Sequence, residues 1–469
     1  MFAFVFSVYV KIINLPAIIV NQQMAREGFG SRFGAIMALA GSAVGLGNIW
    51  KFPYEAGSNG GGAFMLVYLF FVFVIGIPVM LSEFVIGRRG QRNPFGSFKT
   101  LAPGTRWYWF GGLSIFAAAT ILSYYGTVAG WTLEYVAYAI GDTFHGRSSE
   151  DIGLLFSEFV GGSYKPLLWQ VGFMALCGVI ILSGVKNGIE RCVKTMMPAL
   201  FVLIVVLDIR ACTLDGAGEG LRFLFHPDFS KLTFRSVLNA LGQSFFSLSL
   251  GMGALMTYAS YISRNENLTG ISVRVVVADT FVSVLAGMAI LPAVFAFGVD
   301  PSSGPNLVYV TLPQVFNAMP LGYVWGIVFF VLLTFAALTS AISLLEVCVA
   351  YLTEELKFKR LTATALSTGV IAALGVLCTL SFGPMRDVTI FGMTFFDAFD
   401  SLSSNIILPV GGIFICLFVG WKMKTVSVYS ELSSGGRYPM GMFKIFMFIV
   451  KYVAPAAILM ILLGAIGLF

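Results

Sequence analysis

Apolar runs long enough for ~20-residue membrane spans recur along this chain at 33–56, 62–87, 108–140, 167–184, 192–212, 236–262, 271–298, 321–354, 361–381, 395–421 and 441–467. The pattern predicts an all-α integral membrane protein of about eleven transmembrane helices. Two of the runs make poor continuous helices. The first contains Gly41-Ser42-Ala43-Val44-Gly45-Leu46-Gly47-Asn48, in which each glycine costs roughly 0.8–1 kcal/mol relative to alanine and tolerates the angles at which a helix opens. The sixth contains Ser247-Leu248-Ser249-Leu250-Gly251-Met252-Gly253. In a bilayer, freed N–H and C=O groups need partners from protein or a water-filled cavity. Small residues of this kind also serve as a helix-packing face, and that reading stays open for the first run taken alone. Breaks in runs one and six, however, occupy corresponding places of a five-plus-five inverted repeat (33–212 and 236–421, with 441–467 an additional helix), the pattern of a secondary transporter.

Composition agrees with the membrane setting: 58% hydrophobic and 11% charged residues, with mean hydropathy +0.88, exclude an ordinary soluble globule. The net charge of +6 then bears on topology and not on nucleic acid. The connection after run two carries Arg88, Arg89, Arg92, Lys99 and Arg106 with no acidic residue, whereas that after run three is rich in Asp142, Glu150, Asp151 and Glu158. The first connection and the leader with Arg26 and Arg32 are therefore expected on the cytoplasmic side of the plasma (inner) membrane, and an odd number of spans puts the C-terminus outside. The stretch 300–320, with Pro301, Pro305, Pro313 and Pro320, reads as an external loop with a short helix. Residues 1–20 resemble a short signal or anchor, but a polar leader begins at Met24, so 1–23 are expected to be an upstream extension to a single transporter domain at 24–469. Six scattered cysteines without C-x-x-C, and only His145 and His226, argue against a disulfide framework or a histidine metal centre. No P-loop and no catalytic constellation is visible, so an enzyme is not expected.

Glu83, Asp279, Glu346, Asp397 and Asp400 lie inside apolar runs, where a central charge costs at least ~2.5–3.5 kcal/mol and usually faces a partner or cavity. Run eight adds Thr339-Ser340, hydroxyls that either bond back to their own helix or act as oxygen ligands. Carbonyls of an unwound turn, an Asn side chain, hydroxyls and a carboxylate together suit a hard cation such as Na⁺.

The segments 41–64 (GSAVGLGNIWKFPYEAGSNGGGAF), 243–253 (QSFFSLSLGMG) and 336–340 (AALTS) resemble the signatures of the neurotransmitter:sodium symporter family, in its bacterial amino-acid branch. The resemblance runs from Arg26 onward and implies the five-plus-five fold with helices one and six discontinuous. It implies two Na⁺ sites, the first from Ala43, Asn48, Ser247 and Asp279 with the substrate carboxylate, the second from Gly41, Val44, Ala336, Thr339 and Ser340. Relatives carry Asn where this chain has Asp279, and Ser283 falls near the position that helps bind chloride in chloride-dependent members. A carboxylate there implies no chloride requirement, with proton counter-movement through Asp279 an open question.

Monoamine carriers place an aspartate where this chain has Gly45, so the anionic group is expected to come from an amino-acid substrate. Its carboxylate would meet the N–H groups of Leu46 and Gly47 and the hydroxyl of Tyr125, at a half-helix N-terminus. Its ammonium would meet carbonyls of Ala43, Phe246 and Ser247 and the Ser249 hydroxyl. A hydrophobic or aromatic side chain would lie among Ile121, Phe246, Met252, Ser340 and Leu344. The resemblance also implies an outer gate of Lys51 and Asp400 and an inner gate of Arg26 and Glu354 near Tyr261. Glu83 would prop the broken helices by accepting backbone N–H groups, and Gly188 and Pro198 have the Gly-x9-Pro spacing associated in this family with an unwinding of the fifth helix that opens the inner sodium site. The chain thus reads as a Na⁺-coupled importer of a hydrophobic or aromatic L-amino acid working by alternating access in the bilayer. An amino-acid sensor on the same fold and an ion channel are the alternatives.

Overall fold

A computed structural model describes residues 28–298, 307–317 and 319–465. The suggested extension at 1–23, the gate residue Arg26 and part of the 300–320 loop lie outside these residues. Among the described residues, nine helices are long and apolar enough to cross a membrane. They are α2 (Gly62–Gly90), α3 (Tyr108–Ile140), α4 (Lys165–Leu182), α5 (Val185–Cys212), α7 (Leu268–Ala296), α8 (Gly322–Glu354), α9 (Arg360–Leu380), α10 (Phe395–Lys422) and α11 (Phe443–Ala465). A tenth span is the pair α1a (Arg32–Ala43) and α1b (Gly47–Ser58), which meet at 50°. The sixth run forms α6a (Phe234–Ser247) and α6b (Ala254–Ala259), of 14 and 6 residues. Each half is shorter than the ~20 residues of a full crossing, so length and hydropathy alone do not find this span. The run expected at 192–212 starts earlier, at Val185, with a π-helical turn over Val185–Glu190.

Side-chain caps fix where the central helices begin. Ser31 accepts from Gly34 N at the start of α1a, Thr233 and Ser236 form a reciprocal capping box on α6a, and Asn267 accepts from Gly270 N on α7. The long helices α3 and α8 pack against each other and against α4, α5 and α9, while α7 packs on α1a and α5. The broken helices lie inside this surround, and every residue of 38–49 is buried. Leu307–Thr311 and Leu312–Asn317 supply the short helix expected between α7 and α8.

Candidate functional site

The first break is three residues long. After Ala43 the chain turns extended at Val44 (φ −69°, ψ 108°), then re-enters helix at Gly47. None of Gly41, Gly45 and Gly47 has a positive φ. Glycine is needed here for close approach. A Cβ on Gly45 would collide with Ser340 Oγ and lie 3.1 Å from the Tyr125 hydroxyl, and one on Gly47 would lie 3.0 Å from the Phe246 ring. The second break differs, since Ser249, Gly251 and Gly253 all have positive φ, of 54°, 83° and 77°. Glu83 on α2 braces it by accepting from Gly251 N at 2.7 Å, as the sequence suggests. The two breaks are tied together where Ser249 Oγ donates to the Ser42 carbonyl at 2.7 Å.

Two oxygen-rich clusters flank the first break. In one, Ser340 Oγ lies 3.3 Å from Gly41 O, 3.3 Å from Ser42 O and 3.2 Å from Val44 O. Thr339 Oγ1 lies 3.1 Å from Ala336 O, 3.1 Å from Phe335 O and 3.5 Å from Val44 O. Each hydroxyl has a single proton and cannot satisfy three carbonyls. The excess of lone pairs in a buried place is the donor set a small hard cation takes. All residues expected at the second sodium site meet here.

In the other cluster Asn48 Nδ2 lies 2.6 Å from Asp279 Oδ1, 3.0 Å from Ser247 Oγ and 2.8 Å from Ser283 Oγ. Ser247 Oγ donates to Asp279 Oδ2 at 2.7 Å, and Asn48 Oδ1 accepts from Gly45 N. Asn48 and Asp279 are fully buried. Rotating the Asn48 amide by half a turn offers a further oxygen to the same point, and a buried carboxylate among oxygens calls for a cation or a proton. Sequence reasoning missed Tyr68, whose hydroxyl lies 3.1 Å from Ser247 Oγ and 3.4 Å from Ser283 Oγ. A hydroxyl within an apolar run was its one signal. Also missed were Ser42, which donates to Ser343 Oγ at 2.8 Å, and Gln243, whose Nε2 donates to Gly47 O at 2.9 Å.

Between the clusters is a cavity of about 30 Å³, lined by every residue expected to meet the substrate, with Ser42 and Gly45 in addition. Leu46 N donates to the Tyr125 hydroxyl at 3.3 Å, beside the start of α1b, where the helix dipole favours an anion. The lining contains no charged residue.

The outer gate residues are arranged differently from the expectation. Lys51 Nζ sits 4.6 Å from the Phe246 ring centroid, while Asp400 Oδ1 accepts from Ser404 Oγ at 2.9 Å, and among the described residues no ion pair joins Lys51 to Asp400. A cavity of about 790 Å³, lined in part by Lys51, Glu55, Arg235 and Asn405, widens the space next to Phe246. At the opposite end Glu354 accepts from the backbone and side chain of Asn93 at 2.7 and 3.0 Å. Tyr261, expected beside Glu354, gives its hydroxyl to Glu346 at 2.7 Å, and Arg360 forks the same carboxylate at 2.8 and 3.3 Å. Glu346 lies two helical turns nearer the membrane centre than Glu354, which brings it within reach of Tyr261.

The family model for the sodium:neurotransmitter symporter family matches residues 26–147 and 160–468. The sodium-dependent transporter YhdH of Bacillus subtilis (strain 168) is 40% identical over 442 residues, covering 94% of this chain and 98% of that one. A sodium-dependent transporter of Haemophilus influenzae is 38% identical over 450 residues, covering 94% and 98%. The crystal structure of MhsT in complex with L-phenylalanine superposes with a TM-score of 0.88 at 46% identity, covering 94% of this chain and all of that one. With the two broken helices, the fold is the five-plus-five inverted-repeat transporter fold. This chain is therefore a sodium-dependent, multi-pass membrane transporter that belongs to the sodium:neurotransmitter symporter family.

Proposed function

We propose that the protein imports a hydrophobic or aromatic L-amino acid together with two Na⁺ ions, without chloride, by alternating access. The observation that carries this reading is Gly45. It lies flush against Ser340 and Tyr125 in an uncharged cavity at the start of α1b, so the site has no anion of its own to give the α1b amides, and the carboxylate arrives on the substrate. The apolar lining of Ile121, Met252 and Leu344 favours an apolar side chain. The phenylalanine bound to MhsT, a protein of similar sequence and fold, supports the same class.

The ions are cargo as well as glue. One fills the Gly41–Ser340 cluster. The other joins Asn48, Ser247 and Asp279 to the substrate carboxylate, which is why amino acid and Na⁺ bind together. Each Na⁺ entering down 100 mV contributes ~2.3 kcal/mol, so two supply ~4.6 kcal/mol, over three decades of accumulation. Asp279 provides the fixed negative charge that removes the need for chloride. Replacing NaCl by sodium gluconate should leave uptake unchanged, and a fall to background would refute this part. The face bearing Arg88 and Arg89 is cytoplasmic and the C-terminus external. Residues 33–212 and 236–421 form the two repeats. The test of the whole is Na⁺-driven uptake in proteoliposomes, screened over the twenty amino acids. Accumulation confined to apolar members is expected, and transport of charged ones instead would refute the reading.

A further inference from the structure

Glu190 sits where the start of α1a meets the weakest part of α5, and it takes no part in the site described above. The π-helical turn Val185–Glu190 follows Gly184 (φ 85°), and Pro198 inside the same helix removes one backbone hydrogen bond. The side chain of Glu190 is 2% exposed. Its Oε2 accepts from Gly30 N at 2.6 Å, and its Oε1 accepts from Ser31 Oγ at 2.9 Å and pairs with Lys194 Nζ at 2.5 Å. Ser31 is also the N-cap of α1a, accepting from Gly34 N at 3.0 Å. Gly34 is glycine because the Glu190 carboxylate fills the space its Cβ would take.

The other contacts of this segment lead elsewhere. Phe29 N donates to Tyr261 O, the Phe29 ring packs on Tyr258 and Tyr261, and Arg32 pairs with Glu266. These partners follow or belong to α6b, which moves with α1a if the two broken helices rock together. Glu190 instead binds the leader to α5.

We infer that Glu190 is a positioning residue, a latch that holds the start of α1a against α5 and must let go for the face bearing Arg88 to open. The inference rests on the alternating-access reading. Release of the carboxylate frees the Gly30 amide, the Ser31 hydroxyl and the π-turn in one event, so the α1a swing and loosening of 185–198 are coupled. No contact of Glu190 with substrate or ion is needed.

Cys192, half-buried two residues beyond the latch, is a native reporter of that loosening. The experiment measures its rate of modification by a hydrophilic maleimide in the full chain, with Cys177, Cys212, Cys348, Cys378 and Cys416 replaced by alanine, in NaCl and in KCl. The wild-type background is expected to label more slowly in NaCl. Glu190→Ala should raise the NaCl rate roughly tenfold, the equilibrium shift for losing a charge-assisted hydrogen bond, and leave the KCl rate nearly unchanged. Gly34→Ala, which pushes the carboxylate aside, should act likewise, and should add nothing in the Glu190→Ala background, where the obstructing atoms are gone. Should Glu190→Ala fail to fold, Gly34→Ala and Glu190→Gln carry the same comparison. Folded variants that keep full Na⁺ protection, or that label faster in both salts equally as a merely structural defect would, overturn the latch. A wild-type rate indifferent to Na⁺ overturns the latch and the alternating-access reading together.

Discussion

The chain interrupts two helices, and it does so by different physical means. At the first break no backbone angle requires glycine, and the glycines exist so that α8, Tyr125 and Phe246 can press against bare backbone. At the second, three residues with positive φ build the turn itself, and Glu83 fastens it to α2. The carbonyls of the first break are met by hydroxyls too few in protons to satisfy them, whereas the second is closed by a carboxylate. Surplus lone pairs mark one break and a carboxylate brace the other, while residues of both, Gly45 and Leu46 from the first and Ser249 and Met252 from the second, line the cavity.

Substitutions that act differently at the two breaks test this division. Gly45→Ala places a methyl group against Ser340 and Tyr125, where overpacking costs about 1–3 kcal/mol of stability, and by filling the cavity it should also cut Na⁺-dependent uptake roughly 10- to 100-fold. Gly251→Ala is strained by φ 83° and by a Cβ 2.8 Å from Leu408 O, so the melting temperature of the purified protein should fall, by about 2–3 kcal/mol in stability. If Gly45→Ala unfolds the protein and Gly251→Ala does not, the assignment of roles is reversed. Glu83→Leu leaves Gly251 N without its acceptor and should lower stability by about 1–3 kcal/mol, while Glu83→Gln retains most of it. Thr339→Val removes one oxygen from the second sodium cluster, so the Na⁺ concentration for half-maximal uptake should rise by roughly 3- to 10-fold with stability unchanged.

Much of this division can be read in the sequence, and its limits have physical causes. Apolar runs locate the spans because a bilayer forces backbone bonds inside each segment. Glycine runs mark both breaks, but composition does not distinguish a glycine needed for φ from one needed for approach, since the latter depends on Ser340 and Tyr125, far along the chain. Thr339 and Ser340 could be paired with Gly41 and Val44 only by resemblance. Tyr68 was missed because an apolar run has no polar face from which to orient one hydroxyl. The outer gate was misjudged because opposite charges suggest a pair, yet in this conformation Lys51 is drawn to the Phe246 ring and Asp400 to a hydroxyl one helical turn away. The Tyr261 hydroxyl meets Glu346, and since Glu346 and Glu354 lie on one helix, which of them it reaches is set by packing.

The central claim is that Gly45 leaves the anionic group to the substrate. It is tested most directly by comparing uptake of L-phenylalanine with that of 2-phenylethylamine, its decarboxylated counterpart, in proteoliposomes under an inward Na⁺ gradient. Saturable, Na⁺-dependent accumulation of the amino acid and none of the amine is predicted. Equal Na⁺-driven transport of the amine would contradict the account, because the carboxylate would then have no part in holding sodium or in meeting the amides of α1b.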